Sequence, residues 1–275
     1  MRILAVICLY HPEPELLEAD IASFAGGVDA LLLWRNSPVD EKSIEAALPP
    51  DVRDKLRWAG DGHNAGISKA LNEALVIARE EGFTHLLTMD QDSVWEGFDR
   101  FLDQVSAPEA PRGLFGPSRK GEPGATSYTA VSQLITSGML VPVEVAGAAG
   151  GWWEELFTDG VDTAFCCAAA RAGFGCWQVG NCFLHHRLGA PVVKHFFGRP
   201  YTVTGYGPER LYEIYRSMFL IIRSYPEAKD IRRSLKDVWI RRNPVRLLLG
   251  GRQRPAKFWA MLRGSVAGIT HKLKP

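Results

Sequence analysis

The chain has 275 residues, 46% hydrophobic and 23% charged, with a net charge of +1. That is enough apolar material for one large core, while no apolar run nears the roughly 20 residues of a membrane-crossing helix, so disordered and membrane-embedded classes are excluded. Five cysteines, odd in number and without metal-ligand spacing, exclude a disulfide framework and a cysteine zinc site and point to a reducing cytoplasm.

The run 2–10 is continuously apolar and meets His11-Pro12 without a small-residue cleavage site, so it reads as a first buried strand rather than a leader. Between it and a second apolar run, 28–34, Leu16, Leu17, Ala19, Ile21 and Phe24 recur at helical spacing, giving a β-α-β opening closed by the turn Arg35-Asn36-Ser37-Pro38. A short strand at 55–58 leads into G-D-G-H-N-A-G, after which Ile67, Ala70, Leu71, Ala74, Leu75 and Ala78 form one helical stripe. A glycine-rich loop opening a helix lets backbone N–H groups and the positive helix end approach a phosphate or ribose. It is not a G-x-G-x-x-G fingerprint, and taken alone it reads equally well as a turn without a ligand.

The next strand, ending near Met89, runs into Asp90-Gln91-Asp92. A strand of a helix-covered sheet delivers such residues to the crevice at its carboxyl end, where open α/β sheets hold ligands. Paired carboxylates there suit a hard divalent cation, Mg²⁺ or Mn²⁺, although the same residues also cap turns and helices. A helix over 96–105 and a Pro/Gly-rich loop over 107–124 precede further strands within 128–141. In G-G-W-W-E-E-L-F-T-D-G-V-D (150–162), Asp162 stands where it N-caps a helix spanning 163–172. A strand over 176–184 delivers His185-His186, further candidate contacts to a metal or phosphate. Gly207-Pro208 then opens an amphipathic helix carrying Leu211, Ile214, Tyr215, Met218, Phe219 and Ile222, with Arg210 and Arg216 off that stripe.

Charge is unevenly spread. From Lys229 onward there are 13 Lys and Arg against two Asp, a charge of +11, which leaves the preceding 228 residues at −10. The tail holds two amphipathic stripes, Ile231-Leu235-Val238-Trp239 and Phe258-Trp259-Leu262-Val266-Ile269, that either pack on the rest of the chain or lie on an anionic membrane surface. The acidic body argues against nucleic acid as the partner.

Taken together, these residues resemble the family-2 glycosyltransferases of the GT-A fold, and within them the rhamnosyltransferase-like branch. L-Y-H-P resembles the family's opening, N-A-G-I-S-K-A-L-N (64–72) its N-x-G-I-x-x-A-x-N segment, and T-M-D-Q-D-S its L-D-Q-D-S metal motif. Ser137-Gly138 matches its acceptor-side turn, the segment 150–162 its G-G-F-x-E-x-F-F-I-D-x-V-D, and H-R-L-G (186–189) its H-x-L-G. The likeness covers residues 2–225. It departs at Arg35, where the family has aspartate, and at Ala164 and Ala168, where it has an acidic residue and an arginine.

The resemblance implies an α/β, Rossmann-like nucleotide-sugar-binding GT-A domain over 1–205 with a helical, basic, amphipathic extension over 206–275. It implies an inverting transfer from a nucleotide-diphosphate sugar, dTDP-rhamnose favoured, to a hydroxyl of a cell-surface polysaccharide or lipid-linked glycan. The departures leave open a galactofuranosyl or other hexosyl donor, or an inactive sugar-nucleotide-binding homologue. Asp92, with Asp90 and His186, is expected to hold the cation. Tyr10, Asn36, Asn64, Gly66, Lys69, Asp90, Ser137, Gly138, His186 and Arg210 are expected to meet the donor. Asp162 is the expected general base, with Asp159 as the alternative base or an acceptor contact.

Overall fold

The computed structural model describes residues 1–118, 128–186, 192–196, 199–203, 205–242, 244 and 253–272, of which 186, 192–196, 199–203 and 241–242 are described by backbone alone. Two compact units result, residues 1–157 with 161–186, and residues 158–160 with 187–275. The second therefore begins ahead of the boundary read from the sequence.

The first unit opens with β1 (Ile3–Leu9), α1 (Pro14–Ala22), β2 (Ala30–Arg35), α2 (Glu41–Ala47), α3 (Pro50–Arg53), β3 (Leu56–Ala59), α4 (Ile67–Glu80) and β4 (His85–Met89). It continues with β5 (Ser93–Glu96), α5 (Phe98–Val105), β6 (Gly113–Ser118), β7 (Tyr128–Val131), β8 (Met139–Pro142), α6 (Val143–Ala148), α7 (Val161–Arg171) and β9 (Gly175–His186). All nine strands form one sheet in the order β3-β2-β1-β4-β8-β6-β9-β5, with β7 also on β9.

Strands β1 to β4 pair in parallel, whereas β8 runs antiparallel to both β4 and β6. Because β2 and β4 flank β1 on opposite sides, the strand order reverses there, and the carboxyl ends of β1 and β4 open the crevice such reversals create. Continuous apolar sequence suits this position: Leu4, Ile7, Leu9, Leu31, Leu33 and Leu87 are all fully buried, each stabilising the fold by about 2 kcal/mol on area grounds. Helix α4 buries Ala70, Leu71, Ala74, Leu75 and Ala78, the stripe expected of it.

Two boundaries differ from expectation. Residues 93–96 form β5, paired antiparallel with β9, so the following helix starts only at Phe98. The apolar Val94 and Trp95 beside Ser93 carry no pattern that separates a short strand from a first helical turn. Helix α7 starts at Val161, so Asp162 lies within its first turn rather than capping it from outside.

The second unit holds β10 (Val192–Phe196) paired with β11 (Arg199–Val203), then α8 (Pro208–Ser224), α9 (Lys229–Leu235), a π-helical turn (Lys236–Arg242) and α10 (Arg254–Thr270). The apolar stripe of α8, Leu211, Ile214, Tyr215, Met218 and Ile222, packs with Ala260 and Met261 of α10, while Leu235 and Trp239 lie against the same cluster. The Tyr215 hydroxyl donates to the Trp239 carbonyl at 2.6 Å. Small residues set the α8–α10 spacing: a Cβ on Gly264 would stand 2.3 Å from the Tyr212 carbonyl oxygen, and one on Gly268 2.5 Å from that of Arg216.

Candidate active site

Three loops at the carboxyl ends of β1, β2 and β4 are cross-tied. The Gln91 side chain accepts from the Tyr10 N–H at 2.8 Å and donates to the Tyr10 carbonyl at 3.0 Å. The central residue of D-Q-D is thus spent on holding the two acids to the end of β1. On the other side the Asp90 N–H donates to the buried Ser137 hydroxyl at 3.1 Å, and the Gly138 N–H to the Thr88 carbonyl at 2.8 Å. Asp90 and Asp92 themselves are half-buried.

The loop before α4 is built from asparagines. Buried Asn36 donates through Nδ2 to Asn64 Oδ1 at 2.7 Å and accepts from the Ala65 N–H at 2.8 Å, while Asn64 Oδ1 also accepts from the Gly66 N–H at 3.3 Å. Gly66 has φ +81°, and a Cβ there would meet the Phe157 carbonyl oxygen at 2.7 Å, so only glycine fits without strain. The start of α4 is fastened to the G-G-W-W-E-E-L-F segment. The Ile67 N–H donates to the Phe157 carbonyl, the Ser68 hydroxyl to the Leu156 carbonyl, and Asn72 takes both the N–H and the carbonyl of Trp152. Lys69 pairs with Glu73 at 2.6 Å, one turn on, and that partner together with the charge of Glu154 raises its pKa.

Arg35, where the family pattern carries aspartate, is engaged by Glu41 and donates to the Ala59 carbonyl at 3.3 Å. Asp162 accepts from the Thr163 N–H at 2.7 Å, and the neighbouring helix residues Ala164 and Phe165 are buried, with Phe165 stacked on Trp152 at 4.3 Å. In the second unit Asp159 accepts from Arg210 at 3.3 Å, and Arg210 lies 4.4 Å from the Tyr206 ring centroid. Burial raises the Asp159 pKa while Arg210 pulls it back, with the rise prevailing. The His186 side chain and the rest of H-R-L-G, 187–189, lie outside the described residues.

Sequence reasoning missed Asp20. It sits on α1 fully buried, and among the described residues neither carboxylate oxygen has a hydrogen-bond partner. The end of α1 is fixed near the D-Q-D loop because the Ser23 hydroxyl accepts from the Trp95 N–H at 3.0 Å. Burial, then the negative charges of Asp90 and Asp92, push its pKa up to about 9, and burial followed by Asp90 pushes the Cys8 thiol up to about 12. Helical phase puts Asp20, three residues after Leu17 and four before Phe24, on the apolar stripe and leaves Glu15 and Glu18 exposed, but that phase does not tell what Asp20 faces.

These residues fit a divalent cation. The donors are hard carboxylate oxygens, and after burial the charges of Asp90 and Asp92 add to the push of the buried Asp20 carboxyl toward its neutral form, charges that a cation would offset. Among the described residues no three His, Cys, Asp or Glu converge as a closed cage.

The fold is that of the GT-A glycosyltransferases. Staphylococcus aureus TarS (residues 1–349) in complex with UDP-GlcNAc superposes with a TM-score of 0.61 at 14% identity, over 94% of this chain and 79% of that one. The same TarS fragment with UDP gives 0.58 at 13% identity, over 94% and 78%. GalNAc-T7 with UDP, GalNAc and Mn²⁺ gives 0.57 at 10% identity, over 86% of this chain and 54% of that one. Neither a family model nor a curated protein sequence matches the chain.

Proposed function

We propose that the protein is an inverting, metal-dependent glycosyltransferase of the rhamnosyltransferase-like branch, moving a sugar from a nucleoside diphosphate to a glycan hydroxyl. The observation that best supports this reading is the D-Q-D loop tied on one side to the end of β1 and on the other to Ser137, in a GT-A fold. Asp90 and Asp92, with His186 as a further expected ligand, would hold a divalent ion, which would supply Lewis-acid stabilisation of the charge on a departing diphosphate. The Ala65, Gly66 and Ile67 N–H groups are taken by Asn36, Asn64 and Phe157, so the asparagine loop is fixed in shape at the place where the donor is expected to lie. Asp162 takes the proton of the attacking acceptor hydroxyl, and a single displacement at the anomeric carbon inverts it. Asp159, already engaged by Arg210, is the alternative base or an acceptor contact. The enzyme works in the cytoplasm on a cell-surface polysaccharide or lipid-linked acceptor.

The donor is dTDP-rhamnose in this reading, and a UDP-sugar is the competing one. One observation favours the competitor, that TarS was solved with UDP-GlcNAc, while Arg35, committed to Glu41 where the family pattern has an acid, leaves the base open. Thermal-shift and slow-hydrolysis assays with dTDP-rhamnose, UDP-sugars and GDP-sugars, each with Mg²⁺ or Mn²⁺, decide the matter. The proposal expects one nucleotide sugar to raise the melting temperature only with metal present and to be hydrolysed. Stabilisation by none of them, or hydrolysis indifferent to chelation, overturns it.

A further inference from the structure

The two apolar stripes of the basic tail have different fates. Ile231 is buried, and Leu235 and Trp239 pack on the α8 cluster, so the first stripe is core. Helix α10 instead buries its other face, the small-residue seam of Ala260, Gly264 and Gly268 against α8. Its apolar stripe is left bare: Phe258 is 49% exposed, Trp259 59%, Leu262 42%, Val266 51% and Ile269 50%. These positions recur every three or four residues, so they form one ridge along a helix of about 25 Å at 1.5 Å per residue. Large apolar side chains concentrated this way on an otherwise satisfied helix mark an interaction surface.

The charge around the ridge identifies what covers it. After Asp237 the sequence contains no acidic residue and nine Lys and Arg, among them exposed Arg254, Arg263 and Lys272 on or beside α10. A second copy docking through the same ridge would bring like charges face to face, since a two-fold interface opposes each patch to itself. An anionic bilayer meets both demands, with acyl chains for the aromatic and aliphatic residues and headgroups for the guanidinium and ammonium groups.

We infer that the exposed ridge of α10 docks the protein in the plane of an anionic membrane surface. This holds whether or not the catalytic reading does, and its test uses no transfer assay. The full chain is sedimented with phosphatidylcholine vesicles and with vesicles containing about one-third phosphatidylglycerol; the anionic partition coefficient should be at least about tenfold larger and should fall several-fold on raising salt from about 0.1 to 0.5 M. Phe258→Ser/Trp259→Ser/Leu262→Ser should cut anionic binding by about tenfold with the melting temperature unchanged. If that variant fails to fold, Trp259→Phe still decides the point. Brominated acyl chains should quench wild-type tryptophan fluorescence and quench the variant measurably less. Equal quenching of the two, or equal partition of wild type onto neutral and anionic vesicles, overturns the inference. So does a ridge-dependent dimer or acidic-protein complex formed without vesicle binding.

Discussion

Asp20 and Asp159 are both acids whose pKa burial drives upward, yet they stand in opposite conditions. Asp159 has a guanidinium at 3.3 Å that opposes the rise, so its ionised form is kept accessible. Among the described residues Asp20 has no hydrogen-bond donor, and the charges that act on it, Asp90 and Asp92, have its own sign. Burial alone therefore does not decide whether a carboxyl is ready for chemistry; the sign of its neighbours does. Asp20 is accordingly no candidate for the chemistry, which the proposal gives to Asp92 and Asp162.

The largest expected effects test that division. Asp162→Asn should lower transfer by roughly 10² to 10⁴ while calorimetric donor affinity stays near normal, the signature of a lost general base. Asp92→Asn should depress both metal-dependent donor binding and transfer. Normal transfer by Asp162→Asn would promote Asp159 instead. Asp20→Asn should leave transfer within a few-fold of wild type, and a loss as deep as that of Asp92→Asn would break the division.

Stability gives the next effect down. The folded Asp20 holds its proton up to about pH 9, whereas an unfolded aspartate releases it near pH 4. Its contribution is thus fully present below about pH 4 and erodes as pH climbs toward 9, because the unfolded state gains an ionisation that the folded state refuses. Asp20→Asn removes this slope, so denaturation midpoints of variant and wild type should diverge with rising pH in the variant's favour, by on the order of a few kcal/mol at pH 8. Gly66→Ala forces a Cβ against Phe157 at positive φ and should cost about 2 kcal/mol together with weaker donor binding.

The smallest effect sharpens the comparison. Arg210→Ala removes the cation that holds the Asp159 pKa down, so that pKa should move up. If Asp159 is the base, the acidic limb of the rate profile moves up with it. With Asp162 as base, the limb stays where it was, whatever the rate loses with a donor contact removed.

Much of this architecture could be read before the coordinates. The apolar runs of β1, β2 and β4 and the alanine-leucine stripe of α4 follow from period and composition, because helix-covered parallel strands tolerate little polarity. D-Q-D and N-A-G were legible as local patterns. Asp20 was not, since its meaning comes from the loop it lies behind rather than from its own neighbours in sequence. Nor was the role of Gln91 or Asn72, whose partners, Tyr10 and Trp152, are 81 and 80 residues away. The two tail stripes have the same spacing, and only the glycine seam of α10 shows which face its helix turns inward.

That Asn72 clasp also bears on how the protein matures during synthesis. Helix α4 is N-capped by Gly66, which brings no side-chain bond, and its first N–H, that of Ile67, is satisfied by Phe157, while Ser68 reaches a carbonyl 88 residues downstream. Contacts so distant carry a loop-closure cost before they return any stabilisation, and they form late. On a ribosome adding roughly 5 to 20 residues per second, the start of α4 waits on the order of ten seconds for the segment that completes it. Until Phe157 has emerged, the loop before α4 lacks the clasp that fixes its shape.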